Sequence, residues 1–253
     1  MLIPTSPAEA VEMFGDGGDT LVVGGGTIVV PAIRLGHERP AKALMLHRAG
    51  LGGVSRDGSR VTIGAGTSLK EIAGLGDPIG ACVRHIADIE VRAQAHVGGN
   101  LCARNFDAPR GDLQGALIAL GAHVRSAGQG GERTEPVEDF LAHRTGRLVL
   151  DVSFDEAPGV YVYLDRQHTH EYTALAVSAV RHADGIRIGA TGVGEHGRRL
   201  VSAEAAAGDP AAAGQAALAD VDLQDDAVAS AWYREQTLPV LVRRALEQLQ
   251  ETA

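Results

Sequence analysis

Two glycine-rich segments of the chain carry the residue types best suited to holding a phosphorylated ligand. The first glycine segment, Gly24-Gly25-Gly26-Thr27, and the second, Val97-Gly98-Gly99-Asn100, each follow an apolar stretch. Glycines allow backbone N–H groups to approach a phosphate closely, and successive N–H groups form an anion-binding concavity. Thr27 and Asn100 add side-chain donors. The pair predicts a clamp around a pyrophosphate, whereas either segment alone could be an ordinary turn.

The common nucleotide-binding motifs do not fit these segments. Gly24 and Gly26 supply the first two glycines of a dinucleotide fingerprint, but Val29 occupies the third position and no acidic residue follows at the expected distance. Neither lysine of the chain, Lys42 or Lys70, follows a glycine, as a phosphate-binding loop of the Walker type requires. The sequence therefore disfavours both the Rossmann and the P-loop folds.

The first part of the chain reads as alternating helices and strands that position these segments. Ser6-Pro7-Ala8-Glu9 is a capping box that predicts a helix ending at Phe14, and Ser68 with Glu71 is a second capping box. Short helices are also expected at 29–35 and, beginning at Asp112 as N-cap, at 113–120. Apolar and β-branched runs predict strands at 20–23, 43–46, 60–63, 122–126 and 148–154.

The clearest helical periodicity begins at Asp77-Pro78. One apolar stripe predicts a single helix here, with Cys82 in its core. The stripe comprises Ile79, Cys82, Val83, Ile86 and Ile89.

Pro158-Gly159 marks a change of pattern. After it, strands are predicted at 172–181 and 186–190, joined by the hairpin signature Ala183-Asp184-Gly185. Helices are expected at 202–207, 209–219 and 225–250, with Pro239 kinking or dividing the last one. An α/β region followed by a small antiparallel sheet with helices indicates an α+β protein.

Composition excludes several classes of function. The 253 residues are 45% hydrophobic and 22% charged, as in a soluble globular protein, and no signal peptide or membrane span is evident, so we expect a cytoplasmic protein. The net charge of −9 argues against nucleic acid or an anionic membrane as the main partner. The two cysteines, Cys82 and Cys102, are too few to hold an iron–sulfur cluster or a four-cysteine zinc site.

Several stretches of the chain resemble the FAD-binding medium subunit of molybdenum hydroxylases, the family of carbon monoxide dehydrogenase and xanthine dehydrogenase. In order, they are LVVGGGTIVVPAIRLG, RVTIGAGTSLKEIA, VRAQAHVGGNLC and DLQGALIALGAHV, and the tail ASAWYREQTLPVLVRRAL is similar to that family's C-terminal domain. The resemblance implies an FAD-binding domain over residues 1–155, made of two α/β subdomains at about 1–50 and 51–155. A C-terminal domain over 156–253 would hold a small antiparallel three-stranded sheet with helices.

The resemblance also implies the cofactor site. Both glycine segments would hold the FAD pyrophosphate, Asp112 would contact the ribose side, and Leu148 or Val149 would lie near the flavin or adenine edge. The implied FAD-binding residues are Gly24, Gly25, Gly26, Thr27, Ile28, Val97, Gly98, Gly99, Asn100, Asp112 and Leu148. No catalytic residue and no metal site is assigned.

The function implied by the resemblance is that of an FAD-dependent oxidoreductase subunit. In such complexes the flavin receives electrons from iron–sulfur clusters of a small partner subunit, beside a large subunit with the molybdenum cofactor, and passes them to a final small-molecule acceptor. The alternatives are a self-contained FAD-dependent enzyme that acts on a small molecule and a non-enzymatic nucleotide-binding module. Because this chain lacks the cysteines for clusters, the first function requires partner chains.

The chain departs from the family's pattern at three positions. His96 stands where the second glycine segment is usually preceded by a hydroxyl residue. Leu164 and His168 stand where the family often carries a lysine and an arginine. The loss of two cations near a flavin would weaken the stabilisation of its anionic reduced form.

Three further features of the sequence have alternative interpretations. Either Tyr161 or Tyr163 could stack on the isoalloxazine ring, or the two could pack between domains. His168-Thr169-His170 could ligate a metal, or it could be a solvated strand edge. Cys102 could approach the cofactor, with buried packing as the alternative.

Overall fold

The computed structural model describes residues 1–103, 111–165 and 173–252, and three β-sheets organise this part of the chain. The first sheet is a parallel pair, β1 (Thr20–Val23) and β2 (Lys42–Met45), in which Val22 lies opposite Leu44. Helices α1 (Pro7–Phe14) and α2 (Val29–Arg34) accompany this sheet, close to the predicted bounds.

The predicted N-cap of α1 is confirmed, because Ser6 Oγ accepts the Glu9 amide at 3.2 Å. The reciprocal half of the capping box differs from the expected pattern. The Glu9 carboxylate accepts the amide of Thr5 at 2.6 Å, one residue before the N-cap. The box at Ser68 and Glu71 is complete.

The second sheet is antiparallel and has the strand order β3-β4-β7-β5-β6. Its strands are β3 (Val54–Asp57), β4 (Arg60–Gly64), β5 (His123–Gly128), β6 (Gly131–Pro136) and β7 (Arg147–Asp155). Six helices pack with it: α3 (Leu69–Ile72), α4 (Ile79–Arg84), α5 (Ile89–Gln94), α6 (Val97–Cys102), α7 (Leu113–Ala119) and α8 (Val137–Ala142).

The prediction of a single helix over the apolar stripe is wrong. The stripe is divided between α4 and α5, because Ala87 adopts a φ of 45° that no α-helix accommodates. Asp88 then caps α5 through the Val91 amide, and Ile89 points outward with 57% exposure. Cys82 lies in the core as expected.

The third sheet is antiparallel with the order β11-β10-β9-β8. Its strands are β8 (Gly159–Asp165), β9 (Thr173–His182), β10 (Gly185–Thr191) and the two-residue β11 (Arg198–Arg199). The predicted hairpin is confirmed, since Gly185 pairs with His182. The expected three-stranded sheet thus gains a short fourth strand. His168-Thr169-His170 lies outside the described residues.

Three helices cover this sheet: α9 (Val201–Ala205), α10 (Pro210–Ala216) and α11 (Ala231–Glu251). Helix α11 begins six residues later than predicted, because Asp226 Oδ1 accepts the amides of Val228 and Ala229 in a turn before the N-cap Ser230. It runs through Pro239 without dividing.

In the described residues, buried hydrophobic side chains form three clusters. One lies beside the two-stranded sheet and includes Phe14 and Leu44, a second fills the middle of the chain, and a third lies between the third sheet and α11. In the part of the chain described, no helix is long and apolar enough to span a bilayer.

Candidate functional site

The fold packs the first glycine segment against residues 94–96, which lead into the second glycine segment. A Cβ atom on Gly25 would lie 1.6 Å from the carbonyl oxygen of Gln94, and one on Gly24 would lie 3.2 Å from Nδ1 of His96. Gln94 and His96 immediately precede the second segment. The backbone of the first segment therefore packs against the entrance to the second, as a two-sided clamp requires.

The first glycine segment presents unused backbone donors. It follows β1 directly, and Gly26 has a φ of +74°, a conformation that glycine adopts without strain. Within the described residues, the amides of Gly25, Gly26, Thr27 and Ile28 have no hydrogen-bond acceptor. Because unsatisfied backbone N–H groups are rare in protein interiors, four in succession at the surface indicate a ligand-binding or hydrated edge.

The second glycine segment is helical, which corrects the prediction of a turn. Residues 97–100 form the first turn of α6, and the amides of Val97 and Gly98 are bound to the carbonyl oxygens of Thr67 and Ala65, each at 2.9 Å. A Cβ on Gly99 would meet no atom within 4 Å. Of the four residues, Gly99 offers the open face that a phosphate could occupy.

Asn100 serves the structure at this point. Its Oδ1 accepts the Leu113 amide at 3.0 Å, and the residue is 8% exposed. Asn100 therefore joins α6 to the start of α7, and this carbonyl is already engaged.

Asp112 occupies the N-cap position of α7 beside this contact, but its side chain does not cap the helix. Its backbone is in the helical region and its side chain makes no capping hydrogen bond, which contradicts the capping interpretation. Its backbone oxygen accepts Cys82 Sγ at 3.5 Å and Thr191 Oγ1 at 3.3 Å. The side chain is almost wholly buried, and its negative charge acts on Cys82 and Tyr161.

Burial dominates the protonation of the thiols and the nearby phenol. It raises the pKa of Cys82 well above its usual range, and the charge of Asp112 raises it further. Burial also raises the pKa of Cys102 to about 11, and it raises that of Tyr161 well above its ordinary value. Both cysteines are free thiols. At neutral pH they are protonated, and a protonated thiol is a poor nucleophile.

Tyr161 and Tyr163 pack on each other and on His85. The two tyrosine rings are stacked with centroids 5.7 Å apart, and the Tyr163 centroid lies 3.9 Å from that of His85. This contact favours the packing interpretation over exposed aromatic surface. Stacking of either ring on a flavin stays a prediction.

The neighbours Leu148 and Val149 face opposite sides of β7. Leu148 is 3% exposed and packs in the cluster with Phe14, whereas Val149 belongs to the central cluster. The side chain of Leu148 thus has little surface to offer a ligand, and its assignment to the FAD site stays a prediction.

The sequence did not single out Thr67, which fixes the second segment in place. Thr67 Oγ1 accepts the Gly53 amide at 2.9 Å and donates to the Gly53 carbonyl at 3.0 Å, while its own carbonyl holds Val97. The signal for Thr67 in the sequence is the stretch Gly64-Ala65-Gly66-Thr67-Ser68, which lies within the segment RVTIGAGTSLKEIA.

These features together suit an extended dinucleotide. The first segment supplies successive amides and packs against residues 94–96, and the second segment, which begins at Val97, supplies an open glycine face. A pyrophosphate needs this arrangement of donors and lack of side chains. The fold and this geometry therefore make the two segments a candidate dinucleotide-binding site.

Residues 1–154 match the FAD binding domain in molybdopterin dehydrogenase, and the chain belongs to this family. A chain of carbon monoxide dehydrogenase from Hydrogenophaga pseudoflava lacking the Mo-pyranopterin moiety is 25% identical, with a TM-score of 0.85, over 99% of this chain and 96% of that one. A chain of reconstituted CO dehydrogenase from Oligotropha carboxidovorans is 25% identical, with a TM-score of 0.86, over 99% and 97%.

A chain of quinoline 2-oxidoreductase from Pseudomonas putida 86 shares the fold at 18% identity, with a TM-score of 0.82 over 99% of this chain and 96% of that one. The search of curated proteins gave no match.

Proposed function

We propose that this chain is the electron-transfer subunit of a molybdenum hydroxylase-type oxidoreductase. FAD would lie across residues 1–155, between subdomains at about 1–50 and 51–155, and residues 156–253 would form a separate C-terminal domain. The observation that carries the proposal is the packing of the first glycine segment against residues 94–96, which lead into the second, in a chain that shares its fold over 99% of its length with carbon monoxide dehydrogenase chains.

The residues of the chain would bind and orient the cofactor. The amides of 25–28 would donate to the pyrophosphate oxygens, the face of Gly99 would admit the phosphate, and the Asp112 carboxylate would accept a ribose hydroxyl. The chemistry that FAD supplies when bound is electron transfer from the iron–sulfur clusters of a partner to a small-molecule acceptor. Cys82 is buried and Cys102 is partly buried, and both thiols are protonated at neutral pH, so neither cysteine supplies a second redox group.

A molybdenum-cofactor large subunit and an iron–sulfur small subunit are the proposed partners. The whole chain has two cysteines, so any cluster must be held elsewhere. Helix α2, directly after the first glycine segment, contains no buried residue and leaves apolar side chains in solvent. Val30 and Ile33 lie within α2, and the likewise exposed Ile28 and Leu35 flank it. Exposed apolar groups of this kind are typical of a contact surface.

A self-contained flavoenzyme is the second candidate. One observation favours it: Leu164, at a position where the family often has a lysine, packs against the third-sheet core and supplies no charge. His168, the other replaced position, lies outside the described residues.

Purification of the protein from its own host separates the candidates. Native mass spectrometry is expected to find FAD together with two partner chains. The larger should carry the molybdenum cofactor and the smaller should carry iron–sulfur clusters. The purified chain alone should hold FAD that dithionite reduces and that molybdenum hydroxylase substrates do not. Bleaching of the flavin by a physiological small molecule, with this chain alone and at roughly 1–1000 per second, would establish the self-contained enzyme instead.

Replacing Gly99 by alanine is expected to weaken FAD binding while leaving the fold intact. The new methyl group enters open space, so nothing in the apoprotein must move, and alanine favours a helix over glycine by up to about 1 kcal/mol. The methyl group would occupy the space that the phosphate needs. We expect an affinity at least about tenfold lower, or about 1.4 kcal/mol, with an unchanged or higher unfolding midpoint. Equilibrium titration with FAD and thermal unfolding measure the two effects; unchanged affinity would remove Gly99 from the site.

Replacing Asp112 by asparagine is expected to weaken FAD binding by about ten- to a hundredfold. A hydrogen bond to a charged acceptor contributes about 1.5–3 kcal/mol, and asparagine keeps the shape but not the charge. Since the side chain does not cap α7, the helix should keep its stability. FAD titration and chemical unfolding of the same preparation check both statements. A loss of stability with unchanged affinity would show that the carboxylate serves the fold.

A further inference from the structure

His96 lies between the two glycine segments: it directly precedes the second, and its ring packs against Gly24 of the first. It immediately precedes α6, pairs across a β-bridge with Ser68, and has a half-buried ring. Its Nδ1 atom is buried and has no hydrogen-bond partner among the described residues, although it lies 3.2 Å from the position of a Cβ on Gly24. A buried ring nitrogen without a partner is unusual, and this one faces the backbone proposed to hold the phosphates.

The surroundings keep this imidazole neutral in the apoprotein. Burial lowers the pKa of His96 below its ordinary value, and the charge of Glu71 opposes this effect only in part. An Nδ1–H group would find no hydrogen-bond acceptor among the described residues. The neutral ring is therefore expected to carry its proton on Nε2.

We propose that His96 is a proton-linked FAD-binding residue, whose imidazole takes up a proton when the FAD pyrophosphate settles between the glycine segments. The inference rests on the proposed position of the pyrophosphate. A hydroxyl residue at this position donates one hydrogen bond and cannot change its charge. An imidazolium donates from both nitrogens and adds a positive charge beside two phosphates.

The charged group that acts on the ring from the neighbouring elements, within the part of the chain described, is Glu71 of α3. The first glycine segment has no titratable side chain, and Gln94 and Ala95 before the ring are uncharged. Hydrogen bonds from the Ser68 side chain and backbone lower the pKa of Glu71, so this carboxylate stays ionised while His96 titrates. Of these two groups in the described part of the chain, His96 is therefore the one whose charge is expected to change on FAD binding.

The direction of the pH dependence follows from linkage. Phosphate charge raises the pKa of His96 in the complex above its value in the apoprotein. The added binding free energy is fully present below the apoprotein pKa and is lost as the pH rises through the pKa of the complex. Because the apoprotein value lies below 6.5, affinity should rise on acidification towards and below this pH, by at most about tenfold per pH unit for one proton.

The test is the dissociation constant of FAD between about pH 5.5 and 8.5, followed by flavin fluorescence with the full-length chain. The wild-type protein should bind FAD at least about threefold more tightly at pH 5.5 than at pH 8, with proton uptake seen by calorimetry in buffers of different ionisation enthalpy. His96→Gln should flatten the profile and abolish the proton uptake. His96→Thr, which restores the family's usual residue type, should also flatten it while retaining FAD. His143→Gln is the control, because His143 is exposed and directly follows α8. This variant should keep the wild-type pH profile.

The possible results separate this inference from the proposed function. FAD binding with a flat wild-type profile, or with the same slope in His96→Gln, would overturn the role of His96 and leave the FAD site standing. Failure of the wild-type chain to bind FAD at any pH would overturn both. If His96→Gln does not fold, His96→Thr gives the same comparison, and the calorimetric proton count of the wild-type protein decides independently.

Discussion

Replacement of Gly25 by alanine should abolish FAD binding and lower the free energy of unfolding by at least about 1–3 kcal/mol. The added Cβ would lie 1.6 Å from the carbonyl oxygen of Gln94 and 2.5 Å from its carbon, so it would overlap backbone rather than a movable side chain. The two segments must separate to admit it. A clamp whose two sides have moved apart can no longer hold one pyrophosphate between them.

The measurements are the flavin absorbance of the purified protein and urea unfolding of the apoprotein. Gly99→Ala is the matched control, because the same methyl group there meets open space. Gly25→Ala should lose both stability and flavin, whereas the control should lose affinity alone. A Gly25→Ala protein with full FAD and wild-type stability would show that the two segments do not need their close contact.

Replacement of Arg234 by methionine should lower the free energy of unfolding by about 3–5 kcal/mol, the largest stability effect expected of a single side chain here. The Arg234 side chain is 2% exposed and pairs with Asp226, which is 4% exposed, at 2.8 Å. Its guanidinium also donates to three backbone carbonyls that belong to β9 and to the segment before α11. They are those of Ala174, Gln224 and Ala229. Methionine fills similar space but leaves a buried carboxylate without this cation.

The expected loss is read from the midpoint and slope of urea unfolding. Arg243, on the same helix, is the control: its pair with Glu247 spans 3.7 Å and both side chains are about half exposed, so Arg243→Met should change stability by less than about 1 kcal/mol. Adding Asp226→Asn to Arg234→Met should recover part of the loss, since it removes the buried charge. Equal effects of Arg234→Met and Arg243→Met would contradict a structural role for the buried pair.

Local sequence signals were sufficient to predict helix N-caps and hairpin turns, because a few neighbouring residues determine each of these features. Ser6 and Ser68 cap helices as their spacing indicates, and the Asp184-Gly185 turn closes a hairpin. That the two glycine segments form one phosphate site stays a prediction, although the first segment packs against the residues that lead into the second. The pattern could not show that the second segment is helical, since a glycine pair is compatible with either state.

Other elements depend on distant contacts. Strands β3 and β6 lie at opposite edges of the second sheet, and their mostly exposed residues give no apolar alternation. The break at Ala87 requires a positive φ at a residue that ordinarily favours helix. Asp112 has the residue type of an N-cap, yet tertiary packing places its carboxylate near Cys82 and Tyr161. Single-residue propensity does not contain these contacts.

The small size of the parallel sheet β1–β2 bears on how long FAD would stay bound at the proposed site. A sheet of two strands is marginal by itself, so this unit is held mainly by α1 and the small cluster around Phe14 and Leu44. Because the first glycine segment leaves β1 directly, local opening of this unit would carry one side of the clamp away while the larger central core stayed folded. If FAD lies against both glycine segments as proposed, the opening rate of the amino-terminal unit would limit the lifetime of bound FAD, and FAD would in turn slow that opening.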